Sequence, residues 1–135
     1  DKLDNFIEYV RQFGMSYFEN SNVSFTYELL SPDLPSVQIN GTLRKNLFLV
    51  IKEAFHNILK HAEASKAVFQ LKLDKQILSI RIIDNGKGIP PPIWNDTHNF
   101  GNGLKNMHNR MQEVGGSIRF TDGPGTQIEI TVTIQ

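Results

Sequence analysis

An acidic residue and two glycines at the end of an apolar strand pattern are the first residues of this 135-residue sequence that could do chemistry. The stretch 78–84 places apolar residues and finally Asp84 at every second position, so Asp84 is predicted to lie on the core side of a strand. A buried carboxylate needs hydrogen-bond donors, and Gly86 and Gly88 let the backbone pass close to one. The pattern indicates a site for a ligand with an amino group.

Other kinds of loop have to be weighed for the Asn-Gly-Lys-Gly run at 85–88. The run is also an ordinary turn signal, and by itself it does not separate a turn from a binding site. An EF-hand calcium loop is excluded, because a glycine at its sixth position would place Arg81 or Ile83 at the first, where an acid is required. A mononucleotide phosphate loop is excluded, because no Lys-Ser or Lys-Thr follows the glycines.

Glu53, Asn57 and Lys60 form a second group, on the flank of a predicted amphipathic helix from about 43 to 61. On a helix they fall within an arc of roughly 60° at the border of the apolar face. A solvated stripe is the simpler interpretation. However, an acid and an amide oxygen one turn apart suit magnesium or its waters, and a lysine can meet phosphate as a point charge.

Two further features lie towards the C-terminus. Residues 85–103 contain three consecutive prolines and two glycines near the end, which predicts a long loop that can act as a lid. The helix predicted after it, from about 104 to 114, begins glycine-rich and so offers backbone N–H groups to an anion. Thr126 begins the inward face of the last predicted strand, with its hydroxyl on the core side.

The elements that position these residues follow from hydrophobic periodicity. Helices are predicted over Leu3–Phe18, 43–61 and 104–114, and strands over 23–29, 67–73, 77–83, 118–120 and 126–134. We place Leu59 and His108 on apolar helix faces and take Gly14 as a weak point of the first helix. The fold class predicted is α/β, a two-layer sandwich in which three helices cover one face of a mixed, mostly antiparallel sheet of about five strands.

Composition bounds the classes of function. The chain is 39% hydrophobic and 21% charged, which is ordinary for one globular domain. Its 14 basic and 14 acidic residues cancel, so there is no general electrostatic case for a nucleic-acid or membrane partner. With no cysteine, disulfides and thiolate chemistry are excluded. We interpret residues 1–135 as a single domain cut from a longer polypeptide.

Together these motifs resemble the GHKL ATPase superfamily, that of gyrase, Hsp90, sensor histidine kinases and MutL. Residues 53–62 resemble its N box, 84–89 its G1 box, and 100–104 with Met107, Arg110 and 115–116 its G2 box, while 125–126 resemble its last motif. In order and spacing the likeness is strongest to the catalytic ATP-binding domain (HATPase_c) of bacterial histidine kinases of the nitrate-sensor and desaturase-thermosensor type.

The resemblance implies a role for each matching residue. Asp84 would accept the adenine amino group, with Thr126 helping through a water, and Asn57 would hold magnesium between the phosphates. Glu53 would be the general base or the hydrogen-bond partner of the acceptor histidine. The other nucleotide contacts that the resemblance implies are Lys60, His61, Gly86, Gly88, Ile89, Gly101, Asn102, Gly103 and Leu104.

The function implied is transfer of the γ-phosphoryl group of Mg-ATP to a histidine on the dimerisation domain of the same polypeptide. A response regulator would act downstream, the parent would be a homodimer, and this would be a cytoplasmic domain of a parent that can be anchored in the inner membrane. None of His56, His61, His98 and His108 lies in an acceptor context, so we expect ATP binding without self-phosphorylation.

Three alternatives stay open from the sequence. An anti-sigma-factor-type serine kinase belongs to the same superfamily and differs in its acceptor. A binding module that has lost catalysis is disfavoured by the presence of both Glu53 and Asn57. A nucleotide-independent structural domain would leave the converging motifs as coincidence. The lack of a separate phenylalanine-led lid motif between the glycine boxes disfavours the larger gyrase-like and Hsp90-like members.

Overall fold

A computed structural model describes residues 1–88 and 103–134 of the chain. Three of the predicted nucleotide contacts, Ile89, Gly101 and Asn102, lie outside the described residues. His98 and most of the predicted lid segment lie outside them as well.

The described residues form three helices and five strands, which confirms the predicted two-layer fold class. The helices are α1 (Leu3–Phe18), α2 (Gly41–His61) and α3 (Gly103–Glu113). The strands are β1 (Ser24–Leu29), β2 (Lys66–Asp74), β3 (Ile77–Asp84), β4 (Ser117–Asp122) and β5 (Thr126–Thr133). Their order in the sheet is β1-β2-β3-β5-β4, with β1 and β2 parallel and the other neighbours antiparallel.

Alternation along the strands makes one face of the sheet apolar and leaves the other with a mixture of charged, polar and a few apolar side chains. Along β3 every second side chain is buried, and Ile80 pairs with Leu71 on one side and Ile130 on the other. On the opposite face Glu129 accepts hydrogen bonds from Arg81 and Arg119. The helices therefore cover the face on which the side chains are consistently apolar and buried.

The second helix crosses the centre of the apolar face, between α1 and α3. It begins at the predicted cap, where the Asn40 side chain accepts a hydrogen bond from the Leu43 N–H at 2.7 Å. The Phe55 ring lies within 6.2 Å, centroid to centroid, of rings on α1, β1 and β2. None of the helices in the described parts of the chain is long and apolar enough to cross a membrane.

Two expectations about individual helix positions were wrong, and a third position has an additional role. Leu59 is 41% exposed, because it falls beyond the apolar stripe of α2. His108 is exposed on α3, and its ring lies 5.4 Å from that of Phe120. Gly14 also has a packing role that the sequence did not predict, since a Cβ there would lie 2.4 Å from Cζ of Phe25.

Candidate functional site

Asp84 occupies the predicted position, at the last residue of β3 and only 7% exposed. Its Oδ1 accepts hydrogen bonds from the backbone N–H groups of Gly86 at 2.8 Å and Thr126 at 3.4 Å. Burial raises the pKa of this carboxyl above its ordinary value, and the two N–H donors oppose that rise only in part. The carboxyl is thus held at the core edge with too few donors to compensate its burial.

The start of β5 lies against Asp84 because residue 125 has no side chain. A Cβ on Gly125 would lie 2.0 Å from the backbone oxygen of Asp84, which no larger residue could accommodate without moving the strand. This close approach brings Thr126 beside the carboxylate. The threonine is 5% exposed, and its Oγ1 is buried without a hydrogen-bond partner among the described residues.

Asn57 opens onto the same place from α2. It is 5% exposed, and its Nδ2, like Oγ1 of Thr126, is a buried polar atom with no partner in the described part of the protein. An unpaired buried polar group costs about 1–3 kcal/mol. Two such atoms beside a buried carboxyl group indicate that a polar ligand completes their hydrogen bonding.

These side chains line one cavity, whose floor is apolar. Asn57, His61, Asp84, Gly88 and Thr126 share it with four apolar residues, namely Ala54, Ile58, Ala62 and Ile128. Its described walls enclose about 20 Å³, room for roughly one water molecule. Apolar walls with polar groups at one edge suit a purine. A purine is larger than the present volume, so the walls have to move apart when it binds.

His61 lies at the end of α2 and lines this cavity. Burial lowers the pKa of its imidazole below the ordinary value, the nearby His56, Lys60 and Lys87 lower it further, and Glu53 opposes the shift.

The glycine-rich loop after β3 is hydrogen-bonded to the start of β2 and packs against the residue that follows α2. The Asn85 Oδ1 accepts hydrogen bonds from the backbone N–H groups of Ser65 and Lys66, each at 2.9 Å. A Cβ on Gly86 would lie 2.1 Å from the Ala62 carbonyl oxygen. Gly86 therefore serves close backbone packing, whereas Gly88 has a φ of 79°, in the left-handed region that favours glycine.

A larger cavity, of about 310 Å³, lies on the other side of Glu53. Its nine lining residues come from all three helices and are Tyr17, Leu49, Lys52, Glu53, His56, Gly103, Asn106, Met107 and Arg110. A Cβ on Gly103 would lie 2.6 Å from Oε2 of Glu53, so α3 begins directly against this carboxylate. The Tyr17 hydroxyl lies 3.3 Å from Nδ1 of His56.

Sequence reasoning missed Tyr17 and His56 as neighbours of Glu53. Helical periodicity assigns Tyr17 to the apolar stripe of α1, and no metal-ligand spacing joins His56 to His61. The three-residue spacing from Glu53 to His56 was the available signal. Burial, and then the nearby Glu53 carboxylate, raise the pKa of the Tyr17 hydroxyl, and both residues line this cavity.

Some of the residues predicted to contact the nucleotide line neither of these cavities. Lys60 is exposed and lines neither, and Leu104 is buried in the core. Their roles stay predictions, as do those of Ile89, Gly101 and Asn102. Within residues 1–88 and 103–134, no group of three His, Asp or Glu side chains could hold a metal ion.

This fold and cavity define a class of ATPase domain. The sequence profile of the histidine kinase-, DNA gyrase B- and HSP90-like ATPases matches residues 42–135. The chain therefore belongs to this family, as the motifs predict.

The similar curated proteins are sensor kinases. Sensor histidine kinase LiaS of Bacillus subtilis is 33% identical over 104 residues, which are 76% of this chain and 28% of LiaS. The signal transduction histidine-protein kinase/phosphatase UhpB of Salmonella typhimurium is 34% identical over 94 residues, 70% of this chain and 18% of UhpB. Within the family, the chain thus corresponds to the catalytic ATPase part of sensor histidine kinases and spans under a third of these relatives.

Solved structures show the same fold. The catalytic domain of histidine kinase ThkA superposes with a TM-score of 0.79 at 16% identity, covering 99% of this chain and 93% of that one. The histidine kinase domain of the blue-light activated kinase from Erythrobacter litoralis EL346 gives 0.74 at 21% identity, covering 96% and 61%. At these identities the likeness concerns the fold alone.

Proposed function

We propose that this chain binds Mg-ATP and donates the γ-phosphoryl group to a histidine on the dimerisation domain of a longer sensor kinase, of which residues 1–135 are one domain. The observation that carries the proposal is that Asp84 on β3 and Asn57 on α2 open onto one cavity. An adenine nucleotide has an amino group at one end and phosphates at the other, so it can interact with Asp84 and Asn57 at the same time.

The adenine end is assigned to Asp84. Its carboxylate, short of donors, would accept a hydrogen bond from the exocyclic amino group, and the unpaired Thr126 hydroxyl would bind a ring nitrogen through a water. The base would lie on Ala54, Ile58 and Ile128. Gly88 would let the backbone pass over it.

The phosphate end is assigned to Asn57. Magnesium prefers oxygen ligands, keeps several waters and is bound by one or two protein groups together with substrate phosphates. One asparagine therefore fits this metal better than a cage of carboxylates, and when bound the ion would neutralise phosphate charge. Lys60, His61 and the backbone at the start of α3 are assigned to the same end, with Ile89, Gly101, Asn102 and Leu104 as the predicted remainder.

Glu53 is assigned to the acceptor. A ring nitrogen of the acceptor imidazole forms a bond to the γ-phosphorus while the bond from that phosphorus to the bridging oxygen breaks, and ADP leaves with the electron pair. The proton on the other ring nitrogen passes to the Glu53 carboxylate. The protein mainly has to position the reactants and stabilise charge, as in other phosphoryl transfers.

The wider setting follows from the same proposal. The acceptor histidine would lie on the dimerisation domain of a homodimeric parent, and a response regulator would take the phosphoryl group from it. The domain would work on the cytoplasmic side of the membrane, whether or not the parent is anchored there.

Two measurements test the proposal. Calorimetric titration with Mg-ATP should show a single site, and binding should weaken in Asp84→Asn. With the dimerisation domain present, labelled ATP should give an acid-labile phosphohistidine. Absence of nucleotide binding would contradict the proposal, and an acid-stable phosphoserine would transfer the assignment to the serine kinases.

A further inference from the structure

A third cavity, the outer cavity, has a volume of about 300 Å³ and lies on the face of the sheet opposite to the three helices. Its floor is a single cross-strand row of side chains, formed by Val68 on β2, Ile83 on β3, Gln127 on β5 and Thr121 on β4. Successive residues of a strand point to opposite faces of a sheet. The row therefore lies behind Asp84, whose carboxylate is on the core side.

The outer cavity combines apolar surface with one positive charge. Val68 and Ile83 are partly buried in it, and Pro124 adds an apolar edge from the turn between β4 and β5. Lys66, exposed at the start of β2, is the single cation among the described residues that line the cavity. The one acid among them is Asp84, which directs its carboxylate to the other face. The volume is at the small end of the range for small-molecule sites, and this lining favours a small apolar anion.

Asp84 and Thr126 line both the outer cavity and the cavity assigned to adenine. The ends of β3 and β5, joined by the hydrogen bond from the Thr126 N–H to Asp84, thus form a partition between the two cavities. The adenine cavity has to widen from about 20 Å³ to admit a base. Movement of the partition away from α2 widens it at the expense of the outer cavity, so a ligand that fills the outer cavity opposes this movement.

We propose that the outer cavity is a second ligand site, which takes a small apolar anion and weakens nucleotide binding when it is occupied. One ring or a short chain would pack on Val68 and Ile83, and the anionic group would lie at Lys66. The second site does not depend on the proposed function, whereas its effect on Mg-ATP rests on it. By linkage, Mg-ATP weakens binding of the anion by the same factor.

Methyl resonances test the site directly. Cyclohexylacetate is the probe, and 2-cyclohexylethylamine, with the same ring and the opposite charge, is its control. Titration with cyclohexylacetate should shift the methyl resonances of Val68 and Ile83. The methyl resonances of Ile77, which is 49% exposed on the same face at the far end of β3, should stay in place. Equal shifts at Ile77, or none at Val68 and Ile83, would overturn the inference.

Calorimetry in the presence of the probe tests the coupling. The apparent Kd for Mg-ATP should rise with cyclohexylacetate concentration and level off after an increase of roughly fivefold or more. A rise without a plateau would mean that the probe competes inside the adenine cavity, and it would overturn the inference, as would an unchanged or lower Kd. A chain that bound no Mg-ATP would instead contradict the proposed function, and the methyl shifts would still decide whether the outer cavity is a site.

Replacing the cation of the outer cavity separates charge recognition from apolar contact. Lys66→Gln should weaken cyclohexylacetate binding about twofold to fivefold, the range for an exposed ion pair, and abolish the preference for the anion over the amine. Lys72→Gln, exposed on the same strand and face but outside the lining, is the matched control and should change neither. Equal effects of the two substitutions would show that net charge, rather than Lys66, selects the anion, and would overturn the assignment.

Discussion

The carboxylate of Asp84 and the backbone N–H of Thr126 are joined by a hydrogen bond of 3.4 Å although the residues are 42 positions apart. The bond forms where β3 ends and β5 begins, two strands that pair in antiparallel register. It places an acid and a hydroxyl together at the same edge of the core. The adenine end of the proposed site depends on this pair.

Replacing Asp84 by Asn should weaken Mg-ATP binding by roughly 10- to 150-fold. A hydrogen bond to a charged group contributes about 1.5–3 kcal/mol, and the amide can turn a donor instead of an acceptor towards the base. Calorimetry measures the change. Asp74→Asn, at the exposed end of β2, is the matched control and should bind like the wild type. If the Asp84→Asn variant bound Mg-ATP as tightly as the wild type, the assignment of adenine to Asp84 would be wrong.

The pH dependence of stability should carry a signature of Asp84. Its pKa is raised in the folded protein, so between the ordinary value and the raised value the folded state binds more protons than the unfolded state. The contribution of Asp84 to the free energy of unfolding therefore decreases as pH rises through this window. The pKa of the Glu129 carboxyl is lowered instead, so the contribution of Glu129 to stability changes with pH in the opposite direction.

Comparison with Asp84→Asn isolates this one group. Urea unfolding of both proteins from about pH 3.5 to 7 should show the wild type losing stability relative to the variant as pH rises. A wild type that gains relative stability with pH would show that its hydrogen bonds outweigh the desolvation of the carboxylate.

Asn57 and Asn46 are two buried asparagines on α2 that should behave differently. Asn57 has an unpaired Nδ2, so Asn57→Ala should cost less than about 1 kcal/mol of stability but abolish the magnesium dependence of ATP binding. The Nδ2 of Asn46 donates to the Thr42 carbonyl oxygen at 2.9 Å and to Glu113 at 2.8 Å. Asn46→Ala should therefore destabilise the domain and leave the magnesium dependence intact.

Calorimetry with and without magnesium, together with urea unfolding, measures both variants. The metal assignment fails if Asn57→Ala binds Mg-ATP as the wild type does. Asn57→Asp should likewise prevent phosphoryl transfer.

Two helical glycines should respond in opposite directions to alanine. A Cβ on Gly14 would lie 2.4 Å from Cζ of Phe25, whose ring stacks on Phe18 at 5.7 Å and cannot easily move. Overpacking of this kind costs about 1–3 kcal/mol, so Gly14→Ala should lower the free energy of unfolding despite better helix propensity. Gly41 has nothing within 4 Å of its Cβ position, and Gly41→Ala should raise it by up to about 1 kcal/mol. Thermal and urea unfolding give the comparison.

The local patterns of the sequence were enough for the helices and strands and for some single-residue environments, although not for those of Leu59 and His108. The alternation ending at Asp84 predicted its burial, and α1 has the predicted bounds. The stripe on α2 predicted a buried side with Asn57 at its border. These features depend on periods of 2 and 3.6 residues, which any segment carries within itself.

Only the tertiary structure decided which segments meet. Nothing local to residue 125 reveals that its missing side chain brings β5 within reach of Asp84, and nothing in α1 reveals that Tyr17 meets His56 beside Glu53. The same holds for the division of the site into two cavities with Glu53 between them. Periodicity fixes the direction of a side chain relative to its own helix or strand, whereas contacts between distant residues are set by how helices and sheet pack to bury their apolar faces.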